Sequence, residues 1–148
     1  MIKPKSTTPR MLYLVKRAEI DGYSRMVKAL AKYELTPIQY TVLYFVDYDE
    51  GDLSSAQLSR RFFMTPQSMN ELVAILEKKK LLKKTTDPAH KRILRIALTA
   101  KGKKTLDACN RDLDAVEEKM LQQLTSKEIE TLRELLRKLI DTNREGEG

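Results

Sequence analysis

After Leu82 the spacing of apolar residues changes from helical to alternating, and at Thr99 it changes back. A short two-stranded insertion between helices is the consequence. Upstream, Thr36-Pro37 and Thr65-Pro66 each join a capping hydroxyl to a first-turn residue whose φ is already helical, so each marks a helix start. Thr36 also stands three residues before Gln39, and its helix runs to about Tyr48. Asp49, Glu50, Gly51 and Asp52 break that helix, and Ser54 or Ser55 caps a short one through Gln57, Leu58 and Arg61. The helix opened by Thr65 carries the stripe Met69, Leu72, Val73 and Leu76 and ends near Lys79. Two helices joined by the tight Phe62 to Met64 connection have the layout of a helix-turn-helix. Lys83 to Thr86 and Ile93 to Leu98 then read as strands around the turn-forming Asp87-Pro88, with Leu94, Ile96 and Leu98 on one face of the second. A hairpin directly behind a helix-turn-helix is a wing.

Long helices flank this unit. From about Pro9 to Tyr33 the residues Leu12, Val15, Ile20, Tyr23, Val27 and Leu30 recur at mostly helical spacing, behind an arm over residues 1–8. Thr99 caps a helix with Leu106, Cys109, Leu113, Val116 and Met120 in one seam. Thr125 and Glu128 form a capping box before a last helix with Ile129, Leu132, Leu136 and Leu139. Neither of these two has a core of its own, so they pack on the first helix, on a second subunit, or on both. The predicted fold class is mainly α with a small β-hairpin wing: a winged helix-turn-helix over 36–100, between dimerisation helices over 1–35 and 101–148.

Charge is concentrated in one place. Between Lys78 and Lys104 eleven basic residues stand against the single acid Asp87, whereas the rest of the 148-residue chain holds 17 basic and 20 acidic residues. A local basic device on an otherwise mildly acidic chain suits a polyanion-binding face.

Other classes of function are poorly supported. One Cys, Cys109, and one His, His90, permit no internal disulfide and no His/Cys metal cluster, and they stand too far apart on different elements for a nucleophilic pair. No glycine loop suited to phosphate is present, so no catalytic residue, metal or cofactor is assigned. No run approaches a membrane span or a signal-peptide core, and a reducing, cytoplasmic setting is expected.

With Thr65-Pro-Gln-Ser-Met-Asn70, Asp87-Pro-Ala-His-Lys-Arg92 and Leu98-Thr99-x-x-Gly102 in this order and spacing, the chain resembles the MarR (multiple antibiotic resistance regulator) family over nearly its whole length. The resemblance implies a bacterial transcription regulator: a homodimer on a pseudo-palindromic operator in double-stranded DNA, acting as a repressor released by a small aromatic effector. It implies recognition helices in major grooves and wing tips in minor grooves. The DNA-facing set is then Thr65, Pro66, Gln67, Ser68 and Asn70, with Lys78, Lys84, Lys91 and Arg92. Three positions depart from the family pattern: His90 in place of an Asp in the wing, Glu71 in place of an Arg, and Lys80 in place of a Gly after the recognition helix.

The residues themselves leave alternatives open. Gln67 and Asn70 have side chains able to pair bidentately with adenine, or they only solvate a surface helix. Arg92 enters a narrow minor groove, or it is an ion-pair partner for Asp87 within the hairpin. Each lysine of the stretch contacts phosphate or is a solvated surface charge. All six tyrosines fall between Tyr13 and Tyr48. Tyr13, Tyr23, Tyr40 and Tyr44 line an aromatic effector pocket, or this spacing is plain core. Cys109, in the apolar seam, reads as an inert buried thiol rather than a redox sensor. The rival readings are a winged helix kept for protein–protein association and a DNA binder with no effector.

Overall fold

The computed structural model describes residues 8–144, so most of the expected arm over 1–8 lies outside the described residues. Helix α1 (Met11–Leu30) continues into a 3-10 turn (Ala31–Tyr33) and is followed by α2 (Pro37–Tyr48), β1 (Leu53–Ser54), α3 (Ser55–Arg61) and α4 (Pro66–Lys78). After these come β2 (Leu82–Thr86), β3 (Leu94–Leu98), α5 (Ala100–Met120) and α6 (Ser126–Arg144). The chain divides into two compact units, Met1–Leu113 and Asp114–Gly148, with the boundary inside α5.

The helix starts follow their capping chemistry. The Thr36 side chain accepts from the Gln39 N–H at 3.3 Å, and the Gln39 side chain accepts from the Thr36 N–H at 3.1 Å. Ser54, rather than Ser55, caps α3 through the same reciprocal pair with Gln57. Thr65 accepts from the Ser68 N–H at 3.1 Å, and Thr125 and Glu128 close a box before α6.

The helix ends share one device that is less apparent in the sequence. The N–H of Leu35 donates to the Leu30 carbonyl and that of Glu34 to Ala31, the paired bonds of a Schellman motif around a left-handed residue. The same two bonds recur at Gly51 and Glu50 after α2, at Met64 and Phe63 after α3, and at Leu81 and Lys80 after α4. The left-handed residues are Glu34, Glu50, Phe63 and Lys80, with φ of 55°, 55°, 51° and 61°. None is glycine, although a side chain at such a position costs roughly 1 kcal/mol. In three of the four motifs the next residue is an apolar anchor: Leu35 and Leu81 are buried and Met64 is half-buried.

The first unit holds the core. Leu30, Val42, Leu43, Leu58, Met69, Val73, Leu76, Ile96, Leu106 and Cys109 are fully buried, so all of α2 to α5 and the sheet contribute. Burying each large side chain stabilises the fold by about 1.5–3 kcal/mol. The sheet has three strands rather than two, in the order β1-β3-β2. Leu53 pairs with Ile96 and Leu82 with Leu98, both antiparallel. β1 escaped the sequence reading because two residues carry no period. On β3 only Ile96 of the expected apolar face is fully buried, while Leu94, nearer the hairpin tip, stays exposed.

Polar contacts fasten the first part of α5. Tyr33 Oη donates to Asp112 Oδ2 at 2.5 Å, Lys32 Nζ lies 2.7 Å from the same oxygen, and Tyr40 Oη donates to Asn110 Oδ1 at 2.7 Å. The Lys32 ammonium, and then the Tyr33 hydroxyl, hold the Asp112 carboxyl below its ordinary range. Cys109 is fully buried and its thiol is pushed up to about 11 by desolvation, which leaves almost no thiolate at neutral pH.

Most of α1 and most of the described α6 are exposed on the single chain. In α1 Leu12, Val15, Ile20, Tyr23 and Val27 are each at least 42% exposed, and in α6 Leu135, Leu136, Leu139 and Ile140 are each at least 44% exposed. Among the described residues no helix is long and apolar enough to cross a membrane, and no cluster of three His, Cys, Asp or Glu could hold a metal ion.

Two substitutions test this account of the backbone. Lys80→Gly removes the side chain from a left-handed residue and is expected to stabilise the protein by ~1 kcal/mol, read as a Tm rise of about 2–4 °C. Gly102→Ala is expected to destabilise it by ~1–3 kcal/mol, because a Cβ there would stand 2.0 Å from the Leu81 carbonyl oxygen. That close approach also explains the glycine in Leu98-Thr99-x-x-Gly102.

Candidate nucleic-acid interface

Helix α4 presents one face because it buries the other. Met69, Leu72, Val73 and Leu76 are buried, so the intervening Gln67, Ser68, Asn70 and Glu71 are exposed, together with Thr65 and Pro66 at the helix start. Thr65 and Ser68 bond each other through their hydroxyls at 2.9 Å. Asn70 is also engaged: its Oδ1 accepts from Ser55 Oγ at 2.5 Å, a brace between α4 and the first residue of α3. Sequence reasoning missed Ser55 because capping accounted for that serine pair. Gln67 and Glu71 have no side-chain partner among the described residues.

The wing is anchored at its base by one buried acid. Asp87 is 4% exposed, and its carboxylate accepts from the Ala89 N–H at 2.8 Å and from Arg95 Nη2 at 2.6 Å and Nε at 3.1 Å. Arg95 also reaches Asp52 just before β1, so a single guanidinium joins the turn, β3 and the end of the loop after α2. The hairpin ion pair that the sequence left open to Arg92 is therefore made by Arg95. Arg92 and Lys91 are exposed and have no partner among the described residues.

The basic stretch accordingly separates into two groups. Lys79 donates to the Glu34 carbonyl, Lys101 to the Lys79 carbonyl, and Lys84 lies 3.4 Å from Glu77. Lys103 sits 3.0 Å from both Asp47 and Asp107. With Arg95 these cations are occupied by the protein. Lys78, Lys80, Lys83, Lys91, Arg92 and Lys104 are exposed and unpaired among the described residues. Of the sequence-assigned cations, Lys78, Lys91 and Arg92 keep their charge available, while Lys84 shares its own.

The four tyrosines assigned to an effector pocket lie two on α1 and two on α2. Tyr13 and Tyr23 are 58% and 53% exposed on α1. Tyr40 and Tyr44 lie on α2, where Tyr44 packs between Tyr40 at 6.2 Å and Tyr48 at 6.4 Å and meets Phe45 edge-on. One cleft of about 450 Å³ is lined by residues that include Asp47, Gly51, Leu98 and Lys103, and another of about 490 Å³ lies along Thr125 to Leu135. Neither is lined by a tyrosine.

The Asp87 carboxyl lies below its ordinary range because the Ala89 N–H, and then Arg95, favour its charged form. Its contribution to stability is present above the unfolded carboxylate value and is lost as pH falls through the lower folded one. Asp87→Asn is therefore expected to speed amide exchange in β2 and β3 at neutral pH and to reduce the difference from the parent chain below about pH 4. Hydrogen exchange read across that range checks both.

A family model described as MarR family matches residues 33–93, from the end of the 3-10 turn through β2 and the turn that follows it. The transcriptional regulator HosA of Escherichia coli O111:H- is 32% identical over 108 residues, 73% of this chain and 79% of that protein. A probable transcriptional regulator from Pseudomonas aeruginosa has a crystal structure with a TM-score of 0.76 and 25% identity, covering 88% of this chain and 96% of that one. The crystal structure of the Staphylococcus aureus MepR–DNA complex superposes with a TM-score of 0.77 at 22% identity, covering 90% and 96% of the two chains, a likeness of fold. A relative above 30% identity across nearly three quarters of the chain, together with the family model over its helix-turn-helix and first wing strand, shows that this protein belongs to the MarR family of winged-helix transcriptional regulators.

Proposed function

We propose that this regulator binds a pseudo-palindromic operator in double-stranded DNA as a cytoplasmic homodimer and acts as a repressor. The observation that carries the reading is the exposed polar start of α4 in the same compact unit as a wing whose Lys91 and Arg92 have no protein partner among the described residues. A helix N-terminus lined with Gln67, Ser68 and Asn70 suits the base edges of a major groove, and a guanidinium on a hairpin suits a narrow minor groove. Support also comes from MepR, which shares the fold and has been crystallised with DNA. The dimer is supported by the apolar residues that α1 and α6 expose on the single chain, since a lone soluble chain rarely presents so much apolar helix surface.

Release by a small planar effector belongs to the same proposal. Its support is the aromatic row Tyr40, Tyr44 and Tyr48 on α2, in which Tyr44 and Tyr48 are exposed.

Binding to duplex DNA in a salt titration tests the reading. Log affinity should fall linearly with log salt, with a slope set by the phosphates neutralised. Undetectable binding at ~50 mM salt, or a flat slope, would leave protein–protein association as the use of this winged helix. Arg92→Ala should weaken operator binding by ~1–3 kcal/mol while sedimentation still shows a dimer. An unchanged affinity would remove the wing from the interface.

A further inference from the structure

The amide of Asn70 is not free at both ends. Ser55 Oγ donates to its Oδ1, so the oxygen end of the amide is held against α3, and Nδ2 has no partner among the described residues. The arrangement is not a by-product of capping. Ser54 already caps α3 by accepting from Gln57, which leaves the Ser55 hydroxyl for the brace. Asn70 is exposed and lies one turn beyond Pro66, the first residue of α4.

Pairing with adenine needs both amide atoms edge-on, the oxygen accepting from N6 and the nitrogen donating to N7. An amide held through its oxygen turns its NH₂ outward, and presenting both atoms to adenine would cost the Ser55 bond, about 1 kcal/mol, or roughly fivefold. Guanine makes the opposite demand. Its O6 and N7 are both acceptors, and they match an outward NH₂ with two hydrogens. The adjacent exposed Glu71 offers only acceptors, which suits the N4 amino group of cytosine. We infer that Ser55 is a specificity-determining residue: by holding the Asn70 oxygen it makes the recognition helix select a guanine where a free asparagine would select adenine. This rests on the duplex-DNA reading given above.

Selection of bound sequences from random duplex DNA, run in parallel with the parent chain, Ser55→Ala and Asn70→Ala, tests it. Asn70→Ala should erase sequence preference at one base pair of the selected site and so map its contact. The parent chain should select guanine there, and Ser55→Ala should shift the guanine-to-adenine ratio toward adenine by roughly fivefold. A merely structural Ser55 would lower affinity for all sequences alike and leave the preferred base unchanged, which overturns the inference while the DNA-binding reading stands. Adenine at the mapped position in the parent chain, or no position that depends on Asn70, overturns it as well. If no protein enriches any sequence, the DNA-binding reading fails and takes the inference with it.

Discussion

The structure depends on the burial of one helical stripe. Met69, Leu72, Val73 and Leu76 fill the core beside Leu58 and Ile96, and together their removal from water stabilises the fold by several kcal/mol. Because a helix carries side chains at fixed angles, seating that stripe fixes the rotation of α4 and leaves Gln67, Ser68, Asn70 and Glu71 outward. Thr65 sets where the helix begins, and Ser55 braces its first turns from α3. The outward face is thus prepared by inward packing, before any ligand arrives.

The turns around that helix are held by hydrogen bonds that override local preference. Four helices close through left-handed residues, and Glu34, Glu50, Phe63 and Lys80 all tolerate a backbone that glycine would adopt more cheaply. Leu35 and Leu81, seated in the core just after two of them, supply the compensation. Phe63 differs from the other three. It is 80% exposed, so an aromatic ring stands in water in the turn of the helix-turn-helix. Nothing in the structure explains that residue.

Much of this was legible in the sequence, and the reasons are local. Thr36-Pro37, Thr65-Pro66 and Thr125 with Glu128 announced helix starts because an N-cap acts within one turn. The stripe of α4 was legible because burial repeats at helical period, and Asp87 announced the turn that follows β2. What escaped was non-local. Strand β1 exists only because β3 lies beside it, and the choice of Arg95 over Arg92 as the partner of Asp87 depends on the wing's register. Which lysines keep a free charge was equally hidden, since Lys103 is held by Asp47, distant in sequence. Composition located the positive segment, and tertiary structure decides how much of it an external polyanion meets.

The central claim is that the exposed start of α4 and the unpaired tip of the wing form one face that meets duplex DNA. Hydrogen exchange of the protein alone and with a selected duplex measures this directly. Backbone amides across residues 67–71 and 89–93 should gain protection together on binding, with those of Leu72 to Leu76 in the middle of α4 unchanged. Protection confined to α1 and α6, or none in these two segments while the duplex is bound, would contradict the account.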